Sequence, residues 1–154
     1  MKICSLLFLS GILFFSLNTF NMFAQPGVAK VTNPLLIRSS LQYQAPPFNR
    51  IKDEHFKPAF QQALKVHDAE IDGIAKNPAP ATFQNTVLAL EVSGADLTRA
   101  SLVFYNLTSA NTNPALQKIE EEYAPIFSAH SDKIYLNEKI YQRIKSLDLN
   151  ALKG

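Results

Sequence analysis

Apolar residues recur every three or four positions through most of the chain after about residue 53, which is the pattern of amphipathic helices. The longest such stretch runs from Thr82 to Asn137. It predicts two long helices joined by an asparagine-rich turn at Ser109 to Pro114. The other elements are expected before and after this hairpin. The predicted fold class is all-α, with helical hairpins built from about four helices.

A first helix is predicted from Asp53 to about Lys76. The acidic residues at its start favour a helix N-terminus, and Pro58 fits the first turn, where its missing N–H costs nothing. Asn77, which precedes a proline, should end the helix because that position is pushed out of helical geometry. One stripe of this helix is expected to be buried, comprising Phe56, Phe60, Leu64, His67, Ile71 and Ile74.

The second helix should begin at Thr82, whose hydroxyl can accept from the amide of Asn85. Asparagine in place of Glu or Gln at that third position makes for a weaker capping box. Ser93-Gly94 in the middle costs about 1 kcal/mol relative to alanine, so it marks a bend or a close approach of a neighbouring helix. We expect one long helix with a soft centre. Its stripe would be Phe83, Val87, Leu90 and Leu97, with Leu88, Leu102 and Tyr105 extending the apolar surface for packing on more than one side.

The third helix should open at Pro114 with Asn113 as its cap. Pro125 lies inside it, removes one hydrogen bond and predicts a kink. Asn137 can cap a short fourth helix with a stripe of Ile140, Ile144 and Leu147. The buried face of the third helix is predicted to comprise Leu116, Ile119, Tyr123, Ile126, Phe127, His130 and Ile134.

The first 24 residues have the parts of a secretory signal: a basic start at Lys2, an apolar stretch to Leu17 and a site for cleavage after Ala24. An uncleaved membrane anchor is the alternative, although the apolar part is shorter than the roughly 20 residues that a span needs. Residues 25–52 contain four of the nine prolines and predict an extended lead-in that partly covers a surface. The predicted organisation is therefore a signal peptide at 1–24, the lead-in at 25–52 and a helical domain at 53–154, in a secreted or periplasmic protein.

Composition excludes several classes of function. The only cysteine, Cys4, lies in the leader, so a mature chain would have no disulfide, no thiolate nucleophile and no cysteine-based metal site. The 15 basic and 13 acidic residues are interspersed, which leaves no basic footprint for nucleic acid or for an acidic membrane surface.

No motif in the sequence predicts a catalytic, cofactor-binding or metal-binding residue. The three histidines, His55, His67 and His130, stand alone on their helices, and no H-E-x-x-H occurs. A lone histidine on an apolar stripe is usually a hydrogen-bonded core group. Three adjacent glutamates at 120–122 fan out around a helix and predict a solvated face. The sequon at Asn106 lies inside a predicted helix and carries little weight.

From Asn33 to about Leu147 the sequence resembles the N-terminal region of zinc oligopeptidases related to thimet oligopeptidase, oligopeptidase A and bacterial peptidyl-dipeptidase. The matching words include NPLL at Asn33, YQAPPF at Tyr43, IKDEHFKPAF at Ile51, TFQNTVLALE at Thr82 and FYNLTSANTNP at Phe104. The resemblance implies a secreted hydrolase that removes dipeptides from the C-termini of short peptides. It also implies one zinc ion held by two histidines of H-E-x-x-H and a later glutamate, with the glutamate of the motif as general base.

None of those metal-binding and catalytic residues has a counterpart in this chain, so none is assigned. We expect the chain to be the substrate-cleft wall of such a peptidase, inactive alone and partnered by a catalytic region outside this sequence. The alternative is a free-standing secreted helical module that binds peptides or proteins without catalysis.

Overall fold

The structure, a computed structural model, describes residues 33–147, whose regular secondary structure is all helical, with no strand in that range. The predicted signal peptide, the first part of the lead-in and residues 148–154 lie outside the described residues. The helices are α1 (Phe56–Ala75), α2 (Ala89–Val92), α3 (Ala95–Ala110), α4 (Pro114–Tyr135) and α5 (Glu138–Lys145). A π-helical segment, Phe83–Leu88, leads into α2. The predicted all-α fold is confirmed.

The core forms where α1, α3 and α4 meet around a group of aromatic rings. Phe56, Phe60 and Phe104 have no exposed surface, and their ring centroids lie 5.0 to 5.9 Å apart. Edge-on and tilted ring contacts at these distances stabilise beyond simple burial. The other buried residues of this core are Leu35, Ala59, Ala100, Val103, Leu116, Ile119 and Tyr123.

A second, smaller core joins the end of α1 to α5. Ile71 and Ile74 of α1 pack with Ile140 of α5. Arg143 of α5 adds polar contacts, because its guanidinium donates to the carbonyls of Asn77 and Ala79 and to the side chain of Asn85. The short last helix is therefore attached to the loop that follows α1.

The predicted helix caps are confirmed. Thr82 accepts from the amide of Asn85 at 3.1 Å, and the Asn85 side chain accepts from the amide of Thr82 at 2.8 Å, so asparagine completes the capping box. Asn113 accepts from two amides at the start of α4, and Asn137 does the same for α5. Each short polar side chain satisfies donors that the first turn leaves without helical partners.

The expectation of one long second helix is wrong. The helix ends at Val92, Ser93 is extended with ψ 157°, and Gly94 adopts the left-handed conformation with φ 67° before α3 begins. The amide of Gly94 donates to the carboxylate of Glu70 at 2.7 Å instead of continuing the helix. The ring of His67 approaches Gly94 so closely that a Cβ there would lie 2.7 Å from it. The sequence predicted either a bend or the close approach of a neighbouring helix at this point. The structure shows α1 packed closely against Gly94 and a complete break between α2 and α3.

The stripe predicted for the second helix is also partly wrong. Phe83 is 41% exposed, and Val87, Leu90 and Leu97 are only half-buried. The break at Ser93 resets the helical phase, so the residues of α3 that reach the core are Ala100, Val103 and Phe104. By contrast, the stripe of α1 is confirmed, with its two phenylalanines and two isoleucines buried and with Leu64 and His67 half-buried.

Helix α4 continues through Pro125 without interruption, and the kink predicted there stays a prediction. Leu116, Ile119 and Tyr123 are buried as expected, whereas Ile126 is 42% exposed.

The described part of the lead-in is extended between three short 3-10 turns at Pro34–Leu36, Gln42–Gln44 and Phe48–Arg50. Leu35 is buried in the main core, and its carbonyl accepts from Arg99 of α3. The Asn33 side chain donates to the carbonyl of His55 at 2.7 Å. The lead-in therefore covers part of this chain's own core, while its other large apolar residues are exposed, namely Ile37, Leu41, Tyr43 and Phe48.

Candidate functional site

An open groove of about 810 Å³ lies between the helices in the described part of the chain. Every helix contributes to it, and its walls are mainly apolar. Its polar lining residues, apart from tyrosines, are His67, Glu91, Ser93, Thr98, Ser101, His130 and Ser131. A mostly apolar concavity with a few polar groups is the common form of a ligand or partner site. The principal apolar lining residues are Val87, Leu90, Leu97, Leu102, Tyr105, Phe127, Ile134, Tyr135, Tyr141 and Ile144.

Several large side chains of the groove remain in solvent. Leu102 is 67% exposed, Tyr135 84% and Tyr141 54%. The second predicted helix was expected to pack on more than one side. It packs against the core on one side, whereas Leu88, Leu102 and Tyr105 are exposed in the described part of the chain. Large apolar residues exposed around one groove are a feature that interaction sites commonly share.

Two histidines meet on the groove wall. His67 of α1 and His130 of α4 are joined by a hydrogen bond of 3.0 Å between Nδ1 of His67 and Nε2 of His130. The His130 side chain is only 9% exposed. Both histidines are hydrogen-bonded, His130 is largely buried and His67 is half-buried, which fits the prediction for a lone histidine on an apolar stripe. Their contact with each other was not predicted, because they stand 63 positions apart.

The surroundings of this pair shift the pKa of His67. Burial lowers it from 6.5, the neighbouring His130 lowers it further, and Glu70 and Asp68 oppose the shift. Asp68 lies 3.6 Å from Nδ1 of His130 and also accepts from Lys133 at 2.7 Å. His67 is therefore held in its neutral form near pH 7.

The remaining candidate residues lie away from the groove. His55 accepts from the amide of Lys52 before α1. Of the three adjacent glutamates, Glu121 and Glu122 are exposed and Glu122 pairs with Lys57, in agreement with the predicted solvated face. Asn106 is exposed within α3.

Within residues 33–147, no three histidine, cysteine, aspartate or glutamate residues come together in a way that could hold a metal ion. No helix in the same range has the length and apolar character needed to cross a membrane. The groove presents to a ligand mainly apolar surface, together with hydroxyl groups, the Glu91 carboxylate and the two histidine rings.

Comparison with curated proteins found several similar peptidases. The chain is 46% identical over 116 residues to the dipeptidyl carboxypeptidase of Salmonella typhimurium and 41% identical over 115 residues to that of Escherichia coli. It is 32% identical over 117 residues to oligopeptidase A of Salmonella typhimurium. Each match covers about three quarters of this chain but only 17% of the relative. No protein-family model matches the chain.

Proposed function

Because the chain is homologous to the dipeptidyl carboxypeptidases over 75% of its length, we propose that it forms a substrate-cleft wall of a zinc peptidyl-dipeptidase. Such an enzyme releases dipeptides from the C-termini of short peptides. In this proposal the chain is secreted or periplasmic after a signal is cleaved behind Ala24. It contributes helical structure and apolar surface, and by itself it is inactive.

The groove is the observation that carries this proposal beyond homology. A helical segment that spans 17% of the relatives must meet the rest of such an enzyme along some surface. The groove supplies one, with exposed leucine and tyrosine side chains on α3, α4 and α5. Burying these exposed apolar side chains against a partner surface would be favourable, because it removes them from water.

The described residues do not fit the zinc ion that the proposed enzyme would use. Residues 33–147 bring no set of three suitable ligands together. In the proposed enzyme the metal ligands and the general base therefore come from the catalytic region, and this chain shapes and encloses the cleft. Enclosure by a rigid wall positions a bound peptide and limits the size of the peptides that enter.

A segment exchange tests the proposal. The matched segment of the Salmonella typhimurium dipeptidyl carboxypeptidase would be replaced by residues 33–147 of this chain. The chimera is expected to release dipeptides from short peptides at a rate within about tenfold of the parent, because a shared fold should preserve the packing of the cleft. The readout is dipeptide release followed by chromatography.

Two controls accompany the exchange. The parent with the segment deleted, and the full chain of this protein alone with added zinc, should both show no release above a blank. A chimera as inactive as the deletion, although folded by circular dichroism, would contradict the proposal. Chelator-sensitive release by the chain alone would contradict its predicted inactivity.

The second candidate is a free-standing helical binding module, and the well-packed core around Phe60 favours it. The two proposals differ in what they expect of the purified full chain. A binding module should melt in one cooperative transition and bind little apolar dye. A cleft wall without its partner should bind such a dye strongly at its groove.

A further inference from the structure

Three parts of the chain meet at His67. Its ring, on α1, packs against Gly94 at the break between α2 and α3, and its two nitrogens face Ser93 and His130. Glu70, one turn after His67 on α1, binds the amide of Gly94. We use the name histidine latch for His67 and His130, the pair that connects α1 to α4 beside the groove.

The hydrogen bonds fix where the protons of the latch lie. Ser93 donates its hydroxyl proton to the carbonyl of Leu90 at 2.7 Å, so Ser93 Oγ accepts from Nε2 of His67 at 3.2 Å. His67 therefore carries its proton on Nε2 and presents a lone pair on Nδ1. It follows that Nε2 of His130 donates to Nδ1 of His67 across the 3.0 Å contact.

The first and the second proton added to the latch have different effects. A proton added to His130 goes to Nδ1, which lies 3.6 Å from Asp68, so the bond to His67 survives. A proton added to His67 goes to Nδ1, which is the atom that accepts the latch bond. If His130 is neutral, it can carry its own proton on Nδ1 beside Asp68 and accept from Nδ1 of His67, so the bond still survives. If His130 is also protonated, two N–H groups face each other at 3.0 Å, and neither can accept.

We propose that the histidine latch is a pH-sensitive switch, in which protonation of His67 at Nδ1 while His130 is also protonated breaks the bond between the two rings and loosens the adjoining wall of the groove. The proposal does not depend on the peptidase assignment. It concerns contacts within this chain.

Several other charged groups surround the histidine latch. On α1, the Asp68 carboxylate lies 3.6 Å from Nδ1 of His130, and Glu70 is already paired with the amide of Gly94. On α4, Lys133 is bound to Asp68, and that contact raises the pKa of Lys133. From the segment before the break, Glu91 also lines the groove. None of these groups supplies an acceptor for a second N–H of His67 in the hydrogen bonds of the structure.

The lowered pKa of His67 gives the pH window. Its folded-state pKa is below 6.5, so the unfolded chain binds the proton more readily at pH values between the two. Stability from the neutral latch is therefore fully present above pH 6.5 and falls as the pH drops through 6.5 toward the folded-state value. Raising the pH restores it.

Thermal melts of the full chain between pH 7.5 and 5.0 test the switch. The melting temperature of the native sequence should fall by roughly 5 °C over this range, which for a domain of this size corresponds to a modest decrease in the free energy of unfolding. His67→Gln cannot titrate, so its melting temperature should change by less than half as much. The control is His55→Gln, which lies outside the latch and should retain the full pH dependence.

A nuclear magnetic resonance titration of the unaltered chain covers the case in which His67→Gln does not fold. At neutral pH His67 should carry its proton on Nε2. Acid should shift the amide signal of Gly94 and the ring signals of His130 together with His67, with a midpoint below 6.5. Titration of His67 without any change at Gly94 and His130 would overturn the proposal, as would equal pH dependence in the native sequence and in folded His67→Gln.

Discussion

Phe60→Ala is expected to destabilise the chain by about 3 to 5 kcal/mol, the usual cost of removing a buried phenylalanine ring. Phe60 has no exposed surface and touches four other rings, those of Phe56, Phe104, Tyr123 and Phe127. The ring joins α1 to both α3 and α4, so alanine would leave a cavity at the point where all three helices meet. Because small domains have only about 5 to 15 kcal/mol of stability, this loss would unfold much of the population.

Urea denaturation followed by circular dichroism measures this effect. Phe48→Ala is the matched control, because Phe48 is 47% exposed on the lead-in and lies outside the core. Its cost should stay below about 1.5 kcal/mol, in proportion to the smaller area that it buries. Equal midpoints for the two variants would contradict the assignment of the core.

Gly94→Ala is expected to cost about 2 to 3 kcal/mol, for two reasons that add. A residue with a side chain pays roughly 1 to 2 kcal/mol in the left-handed conformation that Gly94 adopts at φ 67°. The new Cβ would also lie 2.7 Å from the ring of His67, which could move only by weakening its bonds to Ser93 and His130. Each such bond contributes about 1 kcal/mol.

Gly73→Ala is the matched control for that substitution. Gly73 lies on the exposed side of α1, where an added Cβ meets nothing within 4 Å. Alanine favours the helix there by up to about 1 kcal/mol, so this variant should be more stable than the native chain. Thermal melts of both variants should therefore move in opposite directions. A stabilised Gly94→Ala variant would show that the break between α2 and α3 is not imposed by the backbone.

Local features of this fold could be predicted from the sequence because neighbouring residues determine them. Thr82, Asn113 and Asn137 each cap the helix that they immediately precede, and the partner amides lie two or three positions away. The buried stripe of α1 could also be predicted from the sequence, because an uninterrupted helix buries positions at fixed intervals.

The break in the second helix depends on residues that are distant in sequence. Glu70, 24 positions before Gly94, accepts the amide that would otherwise belong to the helix. The sequence around Ser93 indicated weakness but contained no information about this partner. Once the break resets the helical phase, a stripe extrapolated from Phe83 to Leu97 no longer identifies the buried face.

The candidate site could not be predicted from the sequence, because it also depends on residues that are distant in the chain. His67 and His130 lie on different helices, and only the packing of α1 against α4 brings them together. The groove likewise combines side chains from residues 67–144, and many of them had been predicted as buried residues of separate helix stripes.

The groove itself offers the most direct test of the proposed role as a cleft wall. Leu102→Asp would place a charge at an exposed position of the groove, and Leu136→Asp would place the same charge at an exposed position outside its lining. Both would be made in the chimera with the Salmonella typhimurium enzyme, and dipeptide release would be compared at equal folded concentration. If the groove is covered by the rest of the enzyme, Leu102→Asp should reduce release at least about tenfold, since burying an unpaired charge costs more than 1.4 kcal/mol. Leu136→Asp should remain within about twofold of the chimera. Equal activities for the two variants would contradict the assignment of the groove as the surface that meets the catalytic region.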